Sequence, residues 1–263
     1  MPFTFEKDDV LNKNIPPNII GVYYFLDSSN NILYIGKSID VKKRISQHFY
    51  KGRKRLLSAY CRIRVVPMHS ELEALLFESQ EIKKYKPIFN RRLRKSKQVI
   101  SLYSCKKNTS YSYYYLRRGG QQNDSLIDFM SFKSAKSFLT KLTSKFQLCE
   151  KINKLDKSSK MCFQFHLKKC NGACIKMESI DDYNTRYELS YSQIFKNPKD
   201  CCLTFNIDGV NTYVNIENNK VVKFGVKGKS TYSIDFPSYD EIKIVNIYKN
   251  RFSKNFEITV VSQ

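Results

Sequence analysis

The chain has 263 residues, enough for one or two domains with a real core. Lys and Arg number 46 against 24 acidic residues, a net charge of +22 with a pI near 9.6, which excludes an acidic solvating chain and points to a polyanionic partner. No apolar run reaches spanning length and no signal peptide opens the sequence, so the expectation is a cytoplasmic, nucleoid-associated protein with no membrane role. The charge is uneven. Residues 1–97 carry 20 basic and 9 acidic side chains, 98–184 carry 15 and 7, and 185–263 carry 11 and 8. A Lys-rich proteome accounts for part of such an excess, but its concentration in the first two thirds favours a nucleic acid bound there. The same three spans are the expected domains: an N-terminal domain (1–97), a connector with a cysteine cluster (98–184) and a β-rich C-terminal unit (185–263).

Pro16-Pro17 stops anything that precedes the first clear element. Ile20, Val22, Tyr24 and Leu26 alternate with Gly21, Tyr23 and Phe25, the period of a strand. Asp27 to Asn31 is a turn signal and Ile32 to Ile35 the return strand. A hairpin centred between Ser28 and Ser29 would set Tyr23 opposite Tyr34, two phenols on one face. Gly36 ends the strand, and Ser38 is placed to cap a helix with Val41, Ile45 and Phe49 on one face, Arg44 beside them and His48 one turn further on. Lys51 to Arg55 is a basic loop: a solvated charge run by default, a backbone-phosphate contact (Arg53, Lys54, Arg55) if it borders a phosphodiesterase site. Ile63, Val65 and Val66, closed by Pro67, make a third strand. The fold class expected is α+β, a small three-stranded antiparallel sheet flanked by helices.

Ser70-Glu71-Leu72-Glu73 reads as a capping box, with Ser70 bonding the amide of Glu73 and Glu73 reaching back. It opens a helix with Leu72, Leu75, Leu76 and Ile82 inward and Glu71, Ala74, Glu78 and Glu81 on or near the other face, ended by Pro87. Arg91 and Arg92 extend the basic surface. Val99–Tyr103 and Tyr111–Leu116 read as strands, the tyrosine run serving structure in preference to base stacking. Ser131 to Phe146 is an amphipathic helix with Phe132, Ala135, Phe138, Leu139 and Leu142 inward, and Tyr183 to Phe195 a short helical stretch. From Cys202 the chain reads as a meander with turns at Asp208-Gly209 and Asn218-Asn219, continued by Val245–Tyr248 and Phe256–Val261. Four of the eight cysteines, Cys149, Cys162, Cys170 and Cys174, fall within 26 residues. Without the paired spacing of common zinc ribbons, free thiols and a Cys₄ metal site rank about level.

Gly21-Val22-Tyr23, Tyr34-Ile35-Gly36-Lys37, Arg44 and the run Glu78…Lys83-Lys84-Tyr85-Lys86-Pro87…Asn90 resemble the GIY-YIG endonuclease domain of UvrC-type excinucleases, a family that includes the shorter homologue Cho. The resemblance implies a catalytic set of Tyr23, Tyr34, Arg44 and Glu78 supported by Lys37 and Asn90. Beside such a site the basic residues Lys37, Arg44, Arg53 to Arg55, Arg91 and Arg92 read as facing DNA; His48 is within reach of phosphate, with packing or facing water the favoured reading. It also implies that Cys162-Phe163-Gln164-Phe165…Cys170-Asn171-Gly172-Ala173-Cys174, with Cys149, is the cysteine-rich segment that carries an iron–sulfur cluster, zinc being the alternative. His166 is a candidate replacement ligand. The implied activity is one incision 3′ to a lesion in damaged double-stranded DNA, with UvrB, and UvrA upstream, as partners. A stand-alone restriction or homing nuclease, or a non-catalytic DNA-binding module, are the other classes.

Chemically the set suits phosphodiester hydrolysis with one Mg²⁺ or Mn²⁺, for which a single carboxylate, Glu78, suffices when phosphate and water complete the shell. Tyrosine is a poor base at its ordinary pKa of about 10, but cationic Lys37 and Arg44 favour the phenolate. Tyr34 is the preferred base and Tyr23 its positioning partner, an assignment the sequence does not separate. Arg44 is suited to stabilise charge on the phosphate.

Overall fold

The computed structural model describes residues 2–11, 14–50, 53–90, 99–118, 125–194, 200–218 and 220–260. By its contacts the chain forms two units, Met1–Lys95 with Asp200–Gln263, and Ser96–Lys199. The C-terminal residues expected to stand apart therefore share a unit with the N-terminal ones. No helix among the described residues is long and apolar enough to cross a membrane.

The first unit opens with β1 (Phe3–Glu6), α1 (Lys7–Leu11), β2 (Gly21–Leu26), β3 (Ile32–Ser38), α2 (Val41–Tyr50), α3 (Lys54–Ala59), β4 (Arg62–Pro67) and α4 (Glu71–Tyr85). The sheet is antiparallel in the order β1-β4-β2-β3, one strand more than expected. All six residues of β2 are buried because both faces are covered. Tyr23 and Phe25 pack with Val41 and Ile45 of α2, while Val22, Tyr24 and Leu26 pack with Ala74 and Ile82 of α4. Gly21 has no room for a side chain, since a Cβ there would lie 2.6 Å from the carbonyl oxygen of Val66.

Three local details depart from expectation. Asp27 Oδ1 accepts from the amides of Ser29 and Asn31, Asn30 turns left-handed at φ +64, and a bulge follows Phe25. The register therefore pairs Tyr23 with Gly36 and Phe25 with Tyr34, not Tyr23 with Tyr34. Asp40 caps α2, its Oδ1 accepting from Lys43 N at 3.0 Å, while Ser38 donates to the Asp40 carbonyl. Ser70 caps α4 as expected, but Glu73 accepts from the amide of His69 one residue further back, and Ala74 is fully buried.

The second unit holds a sheet in the order β6-β5-β7, from β5 (Ile100–Cys105), β6 (Tyr113–Arg118) and β7 (Ile127–Phe129). Around it lie α5 (Phe132–Lys145), α6 (Phe163–His166) and α7 (Ile180–Ile194), the last running across the expected boundary at 184. Ser131 caps α5, which buries Ala135, Leu139 and Leu142 but leaves Phe132 half exposed, contrary to the inward placing read from spacing. Buried Asn153 accepts from the amide of Tyr114 and donates to the Cys149 carbonyl and the Tyr183 hydroxyl. Tyr114 itself is buried and stacked on Tyr187 at 4.6 Å, the structural role expected of it.

The chain then completes the first unit with β8 (Cys201–Ile207), β9 (Val210–Glu217), β10 (Lys220–Val226), β11 (Ser230–Ser233), α8 (Tyr239–Arg251) and β12 (Phe256–Val260), the sheet order being β11-β10-β9-β8-β12. Val245–Tyr248, expected as a strand, lies inside α8. Ser238 and Glu241 close a capping box, and Ile242, Val245 and Tyr248 recur every third residue on the buried face. Leu72 and Leu76 of α4 sit in the core of this sheet, so α4 is held between two sheets. Lys83 of α4 is buried against Glu241 of α8, Nζ to Oε1 2.5 Å and to Oε2 2.7 Å. Ser79 and Gln80 also donate to Glu241, and Lys83 donates to Ser238 Oγ and the Phe236 carbonyl.

Candidate active site

The expected catalytic residues Tyr23, Tyr34, Arg44 and Glu78 come from four elements, β2, β3, α2 and α4, around the edge strand β3. Tyr23 on β2 is fully buried and Tyr34 on β3 nearly so, with ring centroids 6.1 Å apart. Gly36 lies against both phenols: a Cβ there would stand 2.5 Å from Tyr23 Oη and 2.9 Å from Tyr34 Cε1. The second glycine of the pattern is thus required by the two tyrosines themselves.

Tyr23 Oη and His48 Nε2 form a 2.7 Å hydrogen bond. Burial pushes the Tyr23 phenol well above its ordinary range, reinforced by Tyr34 and only partly opposed by Arg44. Nearby cations therefore do not make Tyr23 a phenolate; burial outweighs them. Tyr34 has a different environment, with the Arg53 guanidinium 4.8 Å above its ring, where it attracts negative charge formed on the phenol. Arg44, half-buried on α2, donates to Gln47 Oε1 and lies within hydrogen-bond reach of Tyr23.

Glu78 projects from α4 toward β3, where its Oε1 accepts from the amide of Lys37 at 3.1 Å. Burial pushes its carboxyl up to about 7, although the Lys37 amide, Lys37 and Arg44 pull it down. Among the described residues its Oε2 accepts no hydrogen bond. A desolvated carboxylate short of positive charge, with an oxygen to spare, fits a divalent cation. The Lys37 ammonium is held elsewhere, 2.6 Å from Glu71 Oε1. Asn90 bonds Ile35 twice, Nδ2 to its carbonyl at 2.8 Å and Oδ1 from its amide at 2.9 Å, so it braces the strand that carries Tyr34 and Gly36.

Of the residues expected on the DNA side, Arg53, Lys54 and Arg55 are exposed at the start of α3. His48 is not: it is 4% exposed and bonded to Tyr23, which removes it from a surface role. Arg91 and Arg92 lie outside the described residues. Sequence reasoning missed the Tyr23–His48 bond, the Arg53–Tyr34 stacking and the Lys37–Glu71 pair. Only the first had a signal, since His48 is four residues from Arg44 and so shares its helix face.

In the second unit the sulfurs of Cys149, Cys162 and Cys174 lie within 4.8 Å of one another. Cys170 joins them through a thiol bond to Cys149 that holds Cys170 low and Cys149 high. Burial pushes Cys162 up to about 11. Four gathered soft donors, three of them buried and two disfavoured as bare thiolates, fit a metal ion or cluster that would supply the missing positive charge. His166 is exposed on α6 and outside this group.

Residues 19–91 match the UvrC-like GIY-YIG domain and residues 99–193 the middle domain of the UvrC/Cho excinucleases. The UvrABC system protein C of Christiangramia forsetii is 30% identical over 202 residues, covering 72% of this chain and 34% of that protein. Excinuclease cho of Escherichia coli O6:H1 is 31% identical over 182 residues, 68% of this chain and 62% of that one. The chain thus spans about a third of the length of the first curated relatives it matches. The GIY-YIG N-terminal endonuclease domain of UvrC from Thermotoga maritima, solved with magnesium as its catalytic divalent cation, aligns over 33% of this chain and 99% of its own length. That alignment has 24% identity and a TM-score of 0.30.

Proposed function

From the premise that the chain carries a UvrC-like GIY-YIG endonuclease domain followed by a UvrC/Cho middle domain, we propose that it is an Mg²⁺-dependent DNA endonuclease of nucleotide excision repair. It makes a single incision 3′ to a lesion in damaged double-stranded DNA, handed on by UvrB after UvrA. The observation that carries this reading is Glu78, a half-buried carboxylate whose pKa desolvation raises, beside the Tyr23–Tyr34 pair.

As its phenolate, Tyr34 takes the proton of the attacking water and is left neutral, and the Arg53 guanidinium over its ring is the cation that faces the phenolate before that transfer. Tyr23 stays protonated, fixed by His48, and orients Tyr34 and the scissile phosphate. Arg44 meets charge developing on the phosphate. Lys37 holds Glu78 through its amide, and Asn90 keeps β3 in place. Bound to Glu78, Mg²⁺ (or Mn²⁺) supplies Lewis-acid polarisation of the phosphate. Cys149, Cys162, Cys170 and Cys174 hold an iron–sulfur cluster, with Zn²⁺ as the alternative. Visible absorbance and metal analysis of the purified protein separate the two.

The test uses an end-labelled duplex with one bulky adduct, incubated with Mg²⁺, with and without UvrA, UvrB and ATP. Native protein and Glu78→Ala are compared. A single nick 3′ to the adduct that needs those partners and is lost in the variant is the expected result. Cleavage of undamaged sequence without partners would move the protein to the stand-alone nucleases, and binding without any nick would refute a catalytic role.

A further inference from the structure

Arg251, in the last turn of α8, lies beyond the residues matched to either domain. Its Nη1 donates to Glu71 Oε2 at 3.1 Å, while the other oxygen of the same carboxylate takes Lys37 Nζ at 2.6 Å. Glu71 is therefore a single anion between two cations, one from the catalytic strand and one from the C-terminal part of the chain. The Arg251 end is open to solvent at 62% side-chain exposure, whereas Lys37 and Glu71 are half-buried at 24% and 20%. An exposed partner such as Arg251 adds little to stability, so folding alone gives no strong reason for its contact with Glu71.

The position is informative. Glu71 and Glu78 are two turns apart on α4, about 10 Å along its axis. Phosphates of one DNA strand advance about 3.4 Å along the duplex and also wind round it, so that distance spans roughly one to two nucleotides. A strand whose scissile phosphate lies at Glu78 and runs along α4 brings another phosphate to Glu71. Phosphate satisfies a guanidinium by two parallel bonds, whereas Glu71 engages one nitrogen of Arg251.

We propose that Arg251 binds a backbone phosphate about one to two nucleotides from the cleaved bond, and that Glu71 occupies Lys37 and Arg251 until DNA displaces it. This rests on the nuclease reading above. The C-terminal residues thereby extend the DNA track, and Glu71 acts as an internal competitor of the substrate.

The experiment measures anisotropy of a fluorescently labelled duplex in metal-free buffer across a salt series, for native protein, Arg251→Gln, Arg251→Lys, Glu71→Gln and Glu217→Gln. Nicking of the adducted duplex with Mg²⁺ and the partner proteins is followed in parallel. Arg251→Gln is expected to lower the slope of log affinity against log salt by about 0.9 and to weaken binding several-fold, with most of both restored in Arg251→Lys. Glu71→Gln is expected to bind DNA several-fold more tightly, and more tightly than Glu217→Gln, the same loss of charge on the exposed side of β9, an excess that a merely structural ion pair would not produce. An unchanged slope in Arg251→Gln, or no gain in Glu71→Gln beyond that of Glu217→Gln, overturns the proposal. If the native protein binds and nicks DNA in that case, this inference alone falls; if it neither binds nor nicks, the nuclease reading falls with it.

Discussion

The hairpin β2–β3 and the meander β8–β10 lie on the same helix, α4, yet they use their residues differently. Every position of β2 is buried, so both faces need fitted neighbours and each polar tip needs a partner: Tyr23 Oη has His48, and Tyr24 Oη donates to Glu81 at 2.7 Å. In β9, buried Thr212, Val214 and Ile216 alternate with more exposed residues, and only that alternation matters. A strand packed on both faces around a chemical site tolerates few sequences. A strand with one buried face tolerates many. That is why the first hairpin carries a recognisable pattern and the meander does not.

Substitutions can break this contrast or sharpen it. The strongest test is where α4 meets the second sheet. Lys83→Met leaves Glu241 charged and buried, which should cost about 3–5 kcal/mol in urea unfolding, while Lys83→Met with Glu241→Met should regain most of it. A loss below about 1 kcal/mol in the single variant would show that the pair is not buried as described. Next is Gly36→Ala, whose methyl must displace Tyr23 or Tyr34. Nicking should fall about 100-fold and the melting temperature by several degrees, and a rate within a factor of about three would refute the close packing.

A smaller effect is expected from Glu78. Its folded pKa of about 7 lies above the ordinary 4.5, so between those values the folded state holds a proton that the unfolded state lacks. Without metal, stability attributable to Glu78 falls as pH rises through that window, and Mg²⁺ should restore melting temperature near pH 8 more than near pH 5. Melting curves of Glu78→Gln should lack both the slope and the Mg²⁺ response. At the weak end, Glu217→Gln on the exposed side of β9 should stay within about 0.5 kcal/mol of the native protein.

What was legible follows the same division. The paired strands, the Ser70 cap and the stop at Pro87 could be read because local chemistry decides them. The register of the first hairpin could not, because it depends on Asn30 turning left-handed and on a bulge after Phe25. Val245–Tyr248 looked like a strand because four apolar-rich residues fit either period. The deciding signal was the distant pair Ser238 and Glu241. At the site, the residues that the family resemblance points to, Tyr23, Tyr34, Arg44 and Glu78, come from separate elements and lie near one another. Their wiring was not legible: that His48 belongs inside with Tyr23, and that Lys37 gives its amide to Glu78 but its ammonium to Glu71, depends on contacts between elements far apart in sequence.

β3 is the last strand of its sheet, and its outward backbone groups would invite a strand from another molecule. They are already occupied. The Leu33 carbonyl takes the amide of Phe89, both backbone groups of Ile35 take Asn90, and the Lys37 amide takes Glu78. Residues proposed to serve the cleavage site thus also seal a sticky border, and a change at position 78 or 90 exposes it. Loss of cleavage in such a variant therefore has to be read beside its tendency to self-associate, measured by light scattering, before it is credited to chemistry.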